Sequence, residues 1–329
     1  MSAAEAAETA ARVRRGVGWF PELARGVVSV AGADRTRWLN GMISADVAAL
    51  APGEGAPALL LSPKGRILAD MHVLNRGDVF WLDTAQGRVD PLVAALDRYV
   101  IADDVTLANV SPDLCRASLE GPRLPDVLRA LGVAAPPPDG CVEALVGGAP
   151  VVLAAFGESG EPALQLFVPV VAFDAVADAV VAASGDALVA GDAATLDVLR
   201  IEAGTPRIGA DLDDDVFPAE AGLVERAVSL TKGCFTGQEI VARIESRGGV
   251  NHRLVGLHFG DAAPPEPGRA LALPEGKAIG EVTSACVSPV GAIGLGYVRL
   301  PHDAPGTELR VGEQVARVTA LPFVHPTPP

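Results

Sequence analysis

Cysteine is scarce and scattered in this chain of 329 residues: Cys115, Cys141, Cys234 and Cys286 form no C-x-x-C pair. That spacing builds neither a zinc site nor an iron–sulfur cluster by itself, so no resident metal is expected, and a reducing cytoplasm is the simplest setting. Basic residues are also few, 26 against 41 acidic ones, which leaves a net charge of −15. Such a surface repels nucleic acid and anionic lipid at long range, so neither is expected as a partner, and an anionic ligand must find a local basic pocket. A continuous apolar run is missing as well. The first fifteen residues are rich in alanine, carry Glu5 and Glu8, and lack the core of a signal peptide. The most apolar stretch, residues 168–183, is cut by Asp174 and Asp178. Their spacing places both on one face of a helix, which reads as amphipathic and not membrane-spanning. None of the five histidines stands beside a nucleophile motif.

What is present falls into three patterns. Residues 27–30 form an apolar strand, and Asp34 is placed to cap a helix carrying Trp38, Leu39, Met42 and Ile43 on one side. A buried strand at 58–61 follows, then a hairpin of 66–74 and 79–83, a helix over 90–99 and a strand near 105–110. The order then repeats. A strand at 116–119 leads to a helix over 124–131 stopped by Gly132, two strands around Gly147-Gly148, a strand at 164–168 and a helix containing Phe173. From residue 254 onward, short strands between Gly and Pro punctuation predict a small antiparallel barrel or sandwich.

The densest motif runs Lys232-Gly233-Cys234-Phe235-Thr236-Gly237-Gln238-Glu239. Gly233 and Gly237 let the backbone turn tightly or approach a ligand closely. Lys232, two residues from Cys234, would stabilise a thiolate where both point to solvent. The same residues also fit a glycine-punctuated turn around a buried cysteine. Gln238 opens a helix through Arg243. Asp213-Asp214-Asp215 has no partner ligands at metal spacing.

This motif resembles the Lys-Gly-Cys-aromatic-x-Gly-Gln-Glu signature of YgfZ-type folate-binding proteins, within the aminomethyltransferase (glycine cleavage T-protein) superfamily. Residues 200–204 and 217–223 resemble two blocks of the wider family, which implies that Glu220 binds the pterin. A carboxylate can accept two parallel hydrogen bonds from a pterin's amino group and ring N–H. Residues 64–70 resemble the segment that carries the aminomethyltransferases' catalytic aspartate, here Asp70. Two departures stand out: Ala69 replaces the first of a usual pair of aspartates, and Leu74 replaces a common folate-contacting tyrosine. Arg253 lies where relatives supply a basic residue to the folate, Arg243 and Arg247 also fit the pattern, and the resemblance implies that these arginines bind the folate together with Gly233, Gly237 and Gln238 of the motif.

The resemblance spans about residues 29–324. It implies an α+β fold of two ferredoxin-like units plus a C-terminal antiparallel β-barrel around a central folate-binding hole. The units would be residues 16–110 (completed by 192–247), 111–191 and 248–329. It further implies tetrahydrofolate or a one-carbon derivative as ligand. The activity implied is that of an accessory protein for assembly or repair of iron–sulfur enzymes, met transiently, with Cys234 and Lys232 carrying the chemistry. The alternative is a folate-dependent aminomethyl- or methyltransferase using Asp70.

Overall fold

Two sheets stand face to face, and a barrel closes the C-terminal end. The computed structural model describes residues 2–21 and 23–326, with the side chain of Arg247 outside that description. In the first sheet the antiparallel order is Gly55–Leu61, Ile67–Asn75, Phe80–Ala85, Arg25–Ala31 and Thr106–Asn109. Strand alternation puts Val28, Val30, Met71, Val73 and Leu82 on one face. There they pack on Trp38 and Leu39 of helix Arg35–Met42 and on Leu92 and Leu96 of helix Val89–Asp97. Asp34 does not cap the first of these helices. Its own backbone is already helical (φ −90°, ψ −2°), and its carboxylate accepts the Asp104 N–H and pairs with Arg37 instead.

The second sheet runs Leu188–Ala190, Val17–Phe20, Leu114–Glu120, Ala163–Pro169, Ala149–Ala154 and Cys141–Val146. It repeats the strand–helix–strands–helix–strand order of the first with one insertion. Val17–Phe20 lies between the unit's first and last strands, antiparallel to one and parallel to the other. The first unit's sheet therefore starts at Arg25, and the strand just after residue 16 belongs to the second. Ahead of it, helix Ala3–Val13 opens with a capping box between Ser2 and Glu5. It buries Ala6, Ala10 and Val13 against Phe20, Val189, Leu196 and Leu199.

The inner faces of the sheets meet through Val27, Leu74 and Trp81 on one side and Val152, Ala154 and Phe167 on the other. Charge is buried in the same interface. Asp83, with no exposed surface, accepts hydrogen bonds from Arg116 at 2.6 and 3.1 Å and from Arg25 at 2.6 Å. Alternating charges continue outward from there. Arg25 meets Glu158 at 3.5 Å, Glu158 meets Arg207 at 2.7 Å, and Arg207 meets Asp197 at 3.1 Å. Asp197 meets Arg200 at 2.8 Å, and Arg200 meets Asp211 at 2.5 Å. Asp211 then accepts the hydroxyls of Thr283 and Ser284, which are barrel residues.

The barrel is closed, in the order His252–His258, Gly291–Arg299, Ala278–Ser288, Ala270–Ala272, Glu308–Val311 and Gln314–Thr319. Its core holds Leu257, Val282, Val298 and Val318. Between barrel and first sheet runs the segment after helix Ala193–Glu202. Its Ile208, Leu212, Val224, Phe235 and Val241 pack on Leu59, Leu61 and Ile67 of the sheet and on Leu254 and Leu295 of the barrel. No described helix is long and apolar enough to cross a membrane.

Removing one partner of a buried ion pair leaves an uncompensated charge. Arg116→Met should therefore lower unfolding stability by about 3–5 kcal/mol. Arg317→Gln, which breaks an exposed pair with Glu308, should cost less than about 1 kcal/mol. Urea denaturation of the two variants beside wild type checks both values.

Candidate functional site

Along strand Ile67–Asn75, Leu74 packs between the sheets. His72 and Asp70, two and four residues earlier on the same face, line a cavity of about 310 Å³. Phe20, Leu59, Phe156 and Leu196 supply apolar wall, and Glu120, Glu158 and Gln165 bring polar groups from the second unit. Three arginines reach it: Arg25, Arg207 and Arg226. The barrel contributes no lining residue, so the hole lies between the two sheets and the returning segment.

Asp70 stands out in this cavity. Its carbonyl accepts the Thr84 hydroxyl at 2.8 Å, but its carboxylate Oδ1 is buried with no protein donor. Burial pushes its carboxyl up, Arg25 pulls it down, and Glu158 and Asp83 push it up further. Glu120 is also pushed up by burial, although its carboxylate accepts the Ser159 N–H at 2.8 Å. Arg25 and Arg207 are occupied by carboxylates, whereas Arg226 is exposed and makes no ion pair among the described residues. His72 stacks on Phe156 with centroids 3.8 Å apart, and its Nε2–H donates to the Asp139 carbonyl at 2.7 Å. Burial drives His72 down to about 4.

The cysteine motif forms a second feature, held at three points. The Lys232 ammonium donates to the carbonyls of Asn40, Ile43 and Ala45, each at 2.6 Å. Phe235 is 7% exposed and sits in the core between sheet and barrel. Gly237, at φ +82°, lies against the turn at Gly65, itself at φ +75°. A Cβ on Gly237 would meet the Ser62 carbonyl oxygen at 2.6 Å. Between these anchors Cys234 is exposed, while Cys141 is buried and Cys115 and Cys286 are half-buried. Lys232 is therefore not the thiolate's counter-ion that the spacing suggested. Its three N–H donors are spent on carbonyls, and burial draws it down to about 8. Gln238 begins helix Gln238–Arg247.

Glu220 lies outside the cavity wall. Its carboxylate accepts the Phe217 N–H at 3.0 Å, with Arg66 at 3.6 Å and His252 at 3.9 Å, and its carbonyl accepts the Leu254 N–H. It braces its own turn against the barrel. Arg243 pairs with Glu239 on the exposed side of its helix, and Arg253 pairs with Asp303, so neither reaches the cavity. Arg247 ends the helix, and its side chain lies outside the described residues. Arg25, Arg207 and Arg226 escaped the sequence reading because no local motif marks them. They are brought together only by the fold.

Residues 1–232 match the GCVT N-terminal domain, and residues 252–325 match the glycine cleavage T-protein C-terminal barrel domain. An aminomethyltransferase of Moorella thermoacetica is 30% identical over 323 residues, covering 95% of this chain and 87% of that one. The mitochondrial aminomethyltransferase of Gallus gallus is 31% identical over 320 residues, covering 90% and 78%. The fold superposes on the glycine cleavage system aminomethyltransferase T of Bartonella henselae with a TM-score of 0.88. That match covers 98% of this chain and 90% of the other at 24% identity.

Two measurements follow from this geometry. Gly237→Ala combines a positive φ with a clash and should cost roughly 1–3 kcal/mol, whereas Gly233→Ala, with open space around it, should stay within about 1 kcal/mol of wild type. Thermal melts compare them. The second is a pH effect. Unfolded His72 takes a proton near 6.5 and folded His72 only near 4, so acid favours the unfolded chain. Stability should be fully present above pH ~6.5 and fall by on the order of 3 kcal/mol towards pH 4. Urea midpoints for wild type and His72→Gln at pH 7 and pH 5 read this, and the variant should show the smaller drop.

Proposed function

The chain belongs to the glycine cleavage T-protein family, and from that premise we propose that it binds a reduced folate beside Asp70 and serves iron–sulfur enzymes through Cys234. The family binds tetrahydrofolate. The residues present fit such a ligand. A pterin is flat and carries N–H donors, and the cavity offers aromatic wall in Phe20 and Phe156 and an orphaned acceptor in Asp70 Oδ1. The folate tail is anionic, and Arg226 is a lining cation that no acid neutralises among the described residues. When bound, tetrahydrofolate supplies nitrogens that carry a one-carbon group. The chain's own part is to accept an N–H at Asp70, to meet a carboxylate at Arg226, and to keep water from the ring with apolar wall.

The observation that carries the accessory role is the exposed thiol of Cys234 on a loop fixed by Lys232, Phe235 and Gly237. A side chain needed only for packing has no cause to be presented this way. As a thiolate it can attack a partner's disulfide, forming a mixed disulfide and releasing the partner's other sulfur as thiolate. It can also lend one ligand to iron. One sulfur does not hold a cluster, so partners are met transiently, in a reducing cytoplasm. A second reading, aminomethyl transfer using Asp70, is favoured by the orphaned Oδ1 of that residue and by the relatives named aminomethyltransferase.

Calorimetric titration with tetrahydrofolate tests the first part. Asp70→Asn should lose about 1.5–3 kcal/mol of binding, the range for a hydrogen bond to a charged group. Cys234→Ala should bind folate like wild type yet fail to restore iron–sulfur enzyme activity in cells lacking the protein. Full restoration by Cys234→Ala would overturn the accessory role. Aminomethyl transfer by wild type that disappears in Asp70→Asn would establish the second reading in its place.

A further inference from the structure

His72 stands two residues after Asp70 on strand Ile67–Asn75, and both line the cavity from the same face. The residue is 5% exposed, and its ring is held in two ways. Phe156 of the second unit stacks on it, with 9° between the planes and centroids 3.8 Å apart. At one edge Nε2 lies 2.7 Å from the Asp139 carbonyl oxygen. The first contact fixes the plane of the imidazole, and the second fixes its rotation within that plane.

The Asp139 carbonyl is itself a fixed point. Asp139 is the one described non-glycine residue with a positive φ, +57°, a left-handed backbone that aspartate adopts more readily than most residues. Its N–H donates to the Ala155 carbonyl at 3.1 Å, and its carbonyl oxygen passes so close to Gly55 that a Cβ there would meet it at 2.2 Å. Backbone of this kind persists where the surrounding structure demands it.

A carbonyl oxygen only accepts, so the proton of the neutral ring sits on Nε2, and Nδ1 is left with a lone pair. The Asp139 carboxylate is the other group near Nε2, but it lies at 3.8 Å with its side chain 44% exposed, so no close ion pair forms there. Asp83, the cross-strand neighbour of His72, is already engaged by Arg116 and Arg25. Among the described residues no protein group meets Nδ1.

We propose that His72 is a second ligand-binding residue of this cavity, a neutral acceptor preset through Nδ1 beside the carboxylate of Asp70. The fold commits Nε2–H to Asp139, so the ligand is offered one tautomer alone. Residues two apart on a strand are separated by roughly 6–7 Å. The two acceptors therefore address N–H groups on different edges of a flat nitrogen heterocycle, not a single amine. That this heterocycle is a reduced pterin rests on the folate reading above.

The test is nitrogen NMR of the full-length protein carrying labelled histidine, with each of the five histidines replaced singly by Gln to assign its signals. In the ligand-free protein at pH 7, His72 should show a protonated Nε2 and a bare Nδ1. Asp139→Asn, which keeps the carbonyl and removes the carboxylate, should leave that pattern unchanged. Tetrahydrofolate should then move the Nδ1 resonance in the direction of a lone pair that has gained a donor. By calorimetry, His72→Gln should bind tetrahydrofolate about two- to tenfold more weakly, the range for one neutral hydrogen bond. A protonated Nδ1 in the free protein overturns the proposal, and so does bound tetrahydrofolate that leaves Nδ1 unmoved. The wild-type spectra decide even where His72→Gln folds poorly. A protein that binds no tetrahydrofolate sinks the folate reading. In that case 2,4-diaminopyrimidine, a flat ring with two separate amino groups, replaces it as probe, and an Nδ1 that it does not move overturns the role given to His72.

Discussion

The alternating line of charge from Arg116 to Asp211 is the constraint on which the rest of this molecule depends. Buried ions persist only when each has a partner of opposite sign, and here each link is supplied by a different part of the chain. Arg116 comes from the second sheet, Asp83 and Arg25 from the first, Glu158 from a loop, and Arg207 and Asp197 from the returning segment and its helix. Sliding one sheet past the other would strand Asp83, which has no exposed surface. The cavity follows from the same arrangement. Where the sheets meet through Leu74 and Phe167 and through the Arg116–Asp83 pair they close, and beyond Arg25, towards Asp70 and Glu158, they leave the cavity between them.

The cysteine motif is held by three unrelated forces, and that redundancy explains its density in sequence. An ammonium spends its donors on carbonyls, an aromatic ring fills a core, and a glycine allows two backbones to touch. The turn that Gly237 touches is followed at once by Arg66, which lies 3.7 Å over the Phe217 ring. Segments around residues 65, 217 and 237 therefore share one surface. Glu220 completes it by fixing the turn at Phe217 to the first barrel strand.

Much of the fold was legible because its signals are local. The helix Leu124–Leu131 was bounded to the residue by its apolar spacing and by Gly132 at φ +69°. The hairpin lay within a residue or two of its expected limits, and the barrel was announced by short strands between Gly and Pro turns. Helix Ala3–Val13 was missed because alanine buries well without announcing an apolar face, and strand Ala270–Ala272 because three residues show no alternation. Asp70 was legible through its sequence block. The cavity's arginines were not, because Arg25 and Arg226 come from opposite ends of a long stretch of chain and meet only in three dimensions.

The strand Val17–Phe20 has a consequence for how the protein is made. Its neighbours are Ser118 to Glu120 on one side and Leu188 to Ala190 on the other, so it is synthesised ahead of both. Until about a hundred more residues have been added, both of its hydrogen-bonding edges are unpaired. The first sheet, assembled from residues 25–109 alone, needs no such delay. A strand made ahead of the whole first sheet is thus seated after it, and it acts as a clasp on a sheet that cannot close until residue 190 has been synthesised.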